Sequence, residues 1–223
     1  MIPRLPHHLA FPDPRCASEE GIVAYGGDLS PSRLMFAYRM GIFPWYGPGD
    51  PILWWSPNPR LILELDEFRL RRSLRKKLKD FEICFDTAFS QVIRECASVP
   101  RRGQKGSWIV PEMIEAYETL HALGHAHSVE AYREGLLVGG LYGVCVGGVF
   151  CGESMFAHVS DASKAAFAAL VDKLKEWGFA FIDCQVPTEH LKSLGAKEIA
   201  RERYLERLET AIRESAVWNP GKV

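Results

Sequence analysis

Residues 126–185 limit the fold more than any other part of this 223-residue chain. Three extended runs, AHSVEAY, LLVGGLYGVCV and VFCGESMFA, are separated only by the turn-like REG and GG. Strands joined so tightly pair as an antiparallel meander. A long helical run, ASKAAFAALVDKLKEWG, then leads to one more apolar run, FAFIDCQ, which reads as a crossover strand. The chain is therefore α+β, with a mostly antiparallel sheet flanked by helices.

The flanking sequence divides the rest. Residues 1–60 are rich in proline, glycine and aromatics, and LSPSRLMFAYRMG contains one clear short helix, with Ser30 as N-cap, Pro31 at the first helical position and Gly41 as the stop. After Pro59 the texture changes: RLILEL and FEICFD read as strands, PEMIEAYETLHALG as a helix, and TEHLKSLG and ERYLERLETAIRES as the last two helices. The expected organisation is a small N-terminal α/β unit over residues 1–60 and a catalytic domain over 61–223. Meander, helix and crossover strand follow one another as in the acetyltransferase-like (GNAT) fold.

Within the N-terminal unit, GIFPWYGPGDPILWWSP packs three tryptophans, four prolines and three glycines into 17 residues. It is too broken for a helix and too aromatic for an ordinary loop. No apolar run approaches the roughly 18 residues of a membrane span, and the N-terminus lacks the apolar core of a secretory signal. The six cysteines are scattered with no CxxC pair, which fits free thiols in the reducing cytoplasm.

The net charge of −1 hides an uneven distribution. Arg69–Lys79 (RLRRSLRKKLK) holds seven basic residues and no acidic one, leaving 20 basic against 28 acidic residues elsewhere. Leu70, Leu74 and Leu78 give this segment an apolar stripe, but the stripe does not account for the exclusion of acid. A compact basic island on an acidic body suits a phosphate backbone, and PRRGQKG at Pro100–Gly106 adds a second basic patch. A CoA enzyme of this fold holds pyrophosphate on a glycine-rich loop at the start of its long helix. Here that junction reads GESMFAHVSDASK, with no glycine after Gly152 and with Asp161 where an anion would sit.

GGDLSP, GIFPW, WWSPNPR, GSWI, LHALGHAHSVE, LVGGLYG, GESMF, DASK, FIDCQ and SLGA follow one another along nearly the whole chain. In this set and order the sequence resembles the bacterial leucyl/phenylalanyl-tRNA–protein transferases. The resemblance implies transfer of leucine or phenylalanine (methionine less so) from aminoacyl-tRNA to the N-terminal lysine or arginine of a protein, which marks that protein for N-degron degradation. The expected partners are Leu- or Phe-tRNA as donor and such proteins as acceptor, with no membrane, no CoA and a monomeric enzyme. No cofactor is expected, because the donor ester is already activated, and no GxxxxGK[ST] loop is present.

The same resemblance assigns site residues. Asp183 and Gln185, two apart on one strand and so on one face, are the expected catalytic pair, Asp183 polarising the Gln185 carboxamide. A neutral amide is a poor proton acceptor, so the expected role is orientation of the incoming amine. Glu153 and Met155, likewise two apart, are expected on one face, a carboxylate for an ammonium and a thioether for a side chain. Ile182, Leu170 and Leu174 would complete the aminoacyl pocket, although the two leucines read equally well as plain core. Trp45 and Trp108, with Tyr38 one helical turn before the aromatic segment, are expected at the terminal adenosine. Arg71, Arg72, Arg75 and Lys76 are the expected phosphate contacts, while Trp54 and Trp55 read as braces for the N-terminal unit. The family's roles are not carried to Ala157 or Thr188. His121, His125 and His127 have no cysteine or carboxylate cluster beside them, so no metal site is expected. Cys184 faces away from Asp183 and Gln185 and reads as a structural thiol. A CoA-dependent acyltransferase would lack its phosphate loop here, and a non-catalytic tRNA adaptor would need no Asp183–Gln185 pair.

Overall fold

The structure, a computed structural model, describes residues 1–70, 72–99, 107–214 and 216–220; Arg71 and the basic loop at residues 100–106 lie outside them. The chain runs β1 (Ile22–Tyr25), α1 (Pro31–Arg39), β2 (Phe43–Pro44), β3 (Leu53–Trp55), β4 (Arg60–Glu64), α2 (Arg72–Lys77), β5 (Glu82–Phe85), α3 (Phe89–Ser98), α4 (Pro111–Ala122), β6 (Ala126–Arg133), β7 (Leu136–Val146), β8 (Val149–Ala157), α5 (Ala162–Glu176), β9 (Phe181–Gln185), α6 (Glu189–Ser193), β10 (Lys197–Ile199) and α7 (Arg201–Ala211).

Seven strands form one sheet in the order β10-β4-β9-β8-β7-β6-β5, and β1, β3 and β2 form a small second sheet. The meander β6-β7-β8 is antiparallel, and the β6–β7 turn places Glu134 and Gly135 at φ 54° and 76°, as a two-residue hairpin turn of the right twist requires. Helix α5 then carries the chain across to β9, which pairs with β8 in parallel. Meander, crossover helix and parallel partner give the α+β, GNAT-like architecture.

Side-chain alternation divides the core. On β4, Leu61 and Leu63 pack into the same cluster as Ala166, Leu170 and Leu174 of α5, while Ile62 joins α1, α3, α4 and α7 on the other face. On β9, Ile182 and Cys184 face α5, whereas Phe181 faces the other way. Both faces of the sheet are thus covered, which is why β4 and β9 read as continuous apolar runs.

Three local readings change. The broken aromatic segment is a hairpin, with Phe43 opposite Trp55 and Pro44 opposite Trp54, extended by β1. Among the described residues of the basic segment, the α-helix covers Arg72–Lys77 and a single tight turn follows over Leu78–Asp80. FSQVIRECAS, unassigned from sequence, is helix α3 and buries Phe89, Val92, Ile93 and Cys96 at three- and four-residue spacing.

The hairpin is fixed to the body at Gly41. Its φ is +74°, and a Cβ there would lie 2.7 Å from Leu205 Cδ2 and 2.8 Å from Tyr204 Cε1 on α7. Gly41→Ala combines a left-handed backbone with overpacking, so it is expected to cost about 2 kcal/mol or more. Urea unfolding tests this; a loss below about 0.5 kcal/mol would mean that α7 yields at no cost.

Candidate active site

The parallel pair β8–β9 is short. Its paired positions end at Cys151 and Asp183, although β8 continues to Ala157 and β9 to Gln185. Where the strands part, a cavity of about 520 Å³ opens at their C-terminal ends, the usual ligand position in a sheet with parallel strands. Part of its lining is apolar and belongs to the core cluster under α5: Leu141, Phe150, Met155, Phe167, Leu170, Ile182 and Cys184. Phe43, Trp45 and Trp108, which pack with the other cluster, line it too, together with Pro44, Glu153 and Gln185.

Beneath the wall, Asp183 is fully buried. Its carboxylate accepts from Arg60 Nε at 2.8 Å and Arg60 Nη2 at 2.6 Å, from Tyr204 Oη at 2.9 Å and from the backbone N–H of Gln185 at 3.0 Å. Arg60 also donates to the Gly41 carbonyl at 3.2 Å and lies over the rings of Phe43 and Tyr204. Burial opposes the guanidinium charge, but the Asp183 carboxylate outweighs it and holds the Arg60 pKa above its ordinary value. Gln185 has φ 63°, left-handed backbone that a non-glycine residue keeps only when its surroundings enforce it; here the bond from its N–H to Asp183 does so.

Among the described residues, Glu153 is the acidic side chain that lines the cavity. One oxygen accepts from Tyr38 Oη at 2.7 Å and from Gln185 Nε2 at 2.7 Å, and the other accepts from Tyr117 Oη at 3.1 Å. The two tyrosine oxygens are 2.5 Å apart. Burial pushes the Glu153 carboxyl up to about 7, against the pull of its three donors. Burial also pushes both phenols well above 10, reinforced by the adjacent carboxylate. At the cavity rim, burial and Lys164 lower the pKa of His190.

Two family models match the chain: leucyl/phenylalanyl-tRNA protein transferase over residues 62–209, and the N-terminal domain of the same family over residues 27–58. A leucyl/phenylalanyl-tRNA–protein transferase of Sulfurimonas denitrificans is 64% identical over 93% of this chain and 92% of its own length. One from Myxococcus xanthus is 55% identical over 93% and 90%. This chain belongs to the leucyl/phenylalanyl-tRNA–protein transferase family. It is an aminoacyltransferase, with an aminoacyl-tRNA donor and a protein acceptor. Among solved structures it is similar to L-PGS from Bacillus licheniformis (TM-score 0.41, 16% identity, 76% of this chain and 57% of that one). No helix among the described residues is long and apolar enough to cross a membrane.

In this transferase Trp45, Trp108, Glu153, Met155, Leu170, Ile182 and Gln185 share the cavity wall, and three others expected at the catalytic, aminoacyl or adenosine positions do not. Leu174 is wholly buried in the core one turn beyond Leu170, and Phe167, one turn before, lines the cavity instead. Tyr38 is buried outside the cavity lining, where its hydroxyl donates to Glu153. Asp183 meets the backbone of Gln185, not its carboxamide, which is bonded to Glu153. Glu153 and Met155 also diverge: Glu153 meets tyrosines of one core cluster while Met155 packs on the other. The opposing strand slips register between Tyr142 and Gly143, so Glu153 occupies a bulge and simple alternation fails. Cys184 does face away from Asp183, but that direction is the cavity, where burial pushes its thiol pKa up.

Trp54 is fully buried, donates to the Gly26 carbonyl at 2.8 Å and packs edge-on against Phe11, and Trp55 Nε1 donates to the Trp45 carbonyl at 2.6 Å. Arg72, Arg75 and Lys76 are exposed. Thr188 lines the cavity while its hydroxyl caps α6, accepting from Leu191 N at 3.2 Å. His121 and His127 gather around a carboxylate that no local signal places there, Asp86 just after β5, and His125 stays outside. Asp86 Oδ2 lies 2.8 Å from His127 Nδ1 and accepts from Trp218 Nε1 at 2.7 Å, fastening the C-terminal segment to the sheet. Arg60, Tyr117, Phe167, His190 and Tyr204 were missed. Only Arg60 carried a signal, as the charged residue that opens an otherwise apolar strand.

Two outcomes follow from the electrostatics. Asp183→Ala leaves the Arg60 charge buried without a partner and is expected to destabilise by about 3–5 kcal/mol. Guanidinium unfolding measures this, and a variant within about 1 kcal/mol of the parent would contradict it. Glu153, with a folded pKa of about 7 against an ordinary 4.5, stabilises the fold fully below pH 4.5 and loses that contribution as pH rises through 7. Glu153→Gln has no such loss, so its stability relative to the parent should grow by on the order of 3 kcal/mol between pH 4.5 and 8. Parallel pH profiles of the two would refute this.

Proposed function

We propose that the cavity binds the aminoacyl end of tRNA and catalyses its transfer to the N-terminal lysine or arginine of a protein, which is thereby marked for degradation. The observation that carries this reading is the cavity where β8 and β9 part, whose lining joins an apolar set to an aromatic one. The apolar set, Phe150, Met155, Phe167, Leu170 and Ile182, suits a leucyl or phenylalanyl side chain. The tryptophans suit an adenine, which stacks on an indole for about 1–3 kcal/mol. The ester would then lie beside Glu153 and Gln185. An α-amine with a pKa near 8 is partly neutral at pH 7, so orientation alone can supply several kcal/mol of the acceleration.

In this reading Gln185 orients the amine, and Asp183 is a positioning residue that acts through the Gln185 backbone and Arg60. Exposed Arg72, Arg75 and Lys76, together with Arg71, dock the acceptor stem by phosphate, largely independent of sequence. Asp161 precedes α5 and is paired with Lys164 at 2.8 Å, an arrangement that favours a donor other than CoA. The enzyme works in the cytoplasm as a monomer, without cofactor.

The test is direct. Labelled Leu- or Phe-tRNA and a peptide beginning with Arg or Lys should give labelled peptide without CoA or ATP. tRNA binding without transfer, or a requirement for acetyl-CoA, would overturn the proposal. Replacing Arg72, Arg75 and Lys76 with glutamine should raise the KM for tRNA and reduce the slope of its salt dependence by about 2–3. An unchanged slope removes this segment from the interface.

A further inference from the structure

The hydroxyls of Tyr38 and Tyr117 and the carboxyl of Glu153 form a closed set of oxygens, with contacts of 2.5, 2.7 and 3.1 Å. When Glu153 is ionised, only two hydroxyl hydrogens serve these three contacts, so one sets lone pair against lone pair. Neither phenol gives up its proton near neutrality, because burial holds both well above 10. A third proton on the carboxyl completes the set: Glu153 donates to one tyrosine, that tyrosine to the other, and the second back to Glu153. The network therefore has a place for one added proton beside the cavity.

The alternatives are occupied or unsuited. The Asp183 carboxylate is taken by four donors, among them Nε and Nη2 of Arg60. The Gln185 carboxamide gives its N–H to Glu153 and has only an amide oxygen to offer, a very poor base. We propose that Glu153 is the proton acceptor of the transfer step, with Tyr38 and Tyr117 as positioning residues that hold the accepted proton. This rests on the reading of the cavity as the transfer site. The acceptor amine attacks the ester carbonyl and the C–N bond forms while an N–H proton passes to Glu153. The C–O bond to the ribose then breaks, and the proton passes from Glu153 to the departing ribose oxygen, restoring the carboxylate. The groups facing Glu153 are Tyr38 from α1, Tyr117 from α4 with Tyr142 of β7 at its edge, Gln185 and Asp183 from β9, and Cys151 on its own strand. Asp183 is balanced by Arg60, so Glu153 titrates mainly against its own desolvation, at about 7.

A second role for Glu153, holding the ammonium of the donor amino acid, makes a different prediction. The experiment measures single-turnover transfer from pH 5.5 to 9 for the full chain and for Glu153→Gln, with leucyl-tRNA and with tRNA esterified to the leucine analogue bearing a hydroxyl in place of the amine. Glu153→Gln should slow transfer by about 100-fold or more from both donors. Donor binding should change by less than about threefold, a factor worth under 1 kcal/mol. The parent profile should bend near pH 7 and again near the amine pKa of about 8, and the variant should lose the lower bend. Survival of the lower bend, a loss below about tenfold, or a loss that vanishes with the hydroxy donor would each overturn the proposal. Donor binding and a cooperative melt show that the variant is folded. If the parent transfers from neither donor, the reading of the cavity fails and takes this proposal with it; transfer by the parent with undiminished transfer by the variant sinks this proposal alone.

Discussion

Arg60 sits almost wholly out of water where three parts of the chain meet: β9 through Asp183, the start of the aromatic hairpin through the Gly41 carbonyl, and α7 through Tyr204. A buried ion pair adds little net stability over an apolar packing of the same volume, but losing either partner is costly. Its geometry therefore cannot drift. The hairpin that carries Trp45, the strand end that carries Gln185 and the C-terminal helix are held in one arrangement by a single guanidinium. Asp183 belongs to this bracket, and it reaches the site by accepting the backbone N–H that keeps Gln185 in its left-handed conformation.

The second constraint is desolvation at Glu153. Three donors stabilise its charge, yet burial wins and the carboxyl titrates near 7. Between pH 4.5 and 7 the folded protein keeps a proton that the unfolded chain releases, and above 7 the buried carboxylate costs stability, a tension of the kind that active sites hold and cores avoid. The tension is local, because Tyr38 on α1 and Tyr117 on α4 are fixed by their own burial in the larger core cluster. The N-terminal helix thus bears on the cavity through a carboxylate rather than by lining it.

The cavity itself is a consequence of strand geometry. Parallel pairing of β8 and β9 lasts three residue pairs, after which a bulge in β8 and the left-handed turn at Gln185 send the strands apart. Side chains from both faces of the sheet then reach the same space: Ile182 and Cys184 from the α5 side, Glu153 and Gln185 from the other. That is how an apolar pocket and a charged network come to share one wall.

The sequence by itself determined the meander, the crossover helix and β9, because apolar periodicity and two-residue turns are local signals. It also determined the family, because ten motifs in order are specific where each alone is weak. The short strands β1, β2, β3 and β10 were not legible: segments of two to four residues are extended only because neighbours supply their hydrogen bonds. Met155, Ile182 and Leu170 could be proposed for one pocket, but Leu174 could not be told from Phe167 as its second helical wall, since a helix face is resolved only when its partner is present. Alternation correctly separated Cys184 from Asp183 and Gln185 and failed at Glu153, where a bulge breaks the period. The charge state of Glu153 and the pairing of Asp183 with Arg60, 123 positions away, were decided by the tertiary structure alone. Desolvation and ion pairing depend on what surrounds a group in space, and that is the one thing the order of residues does not state.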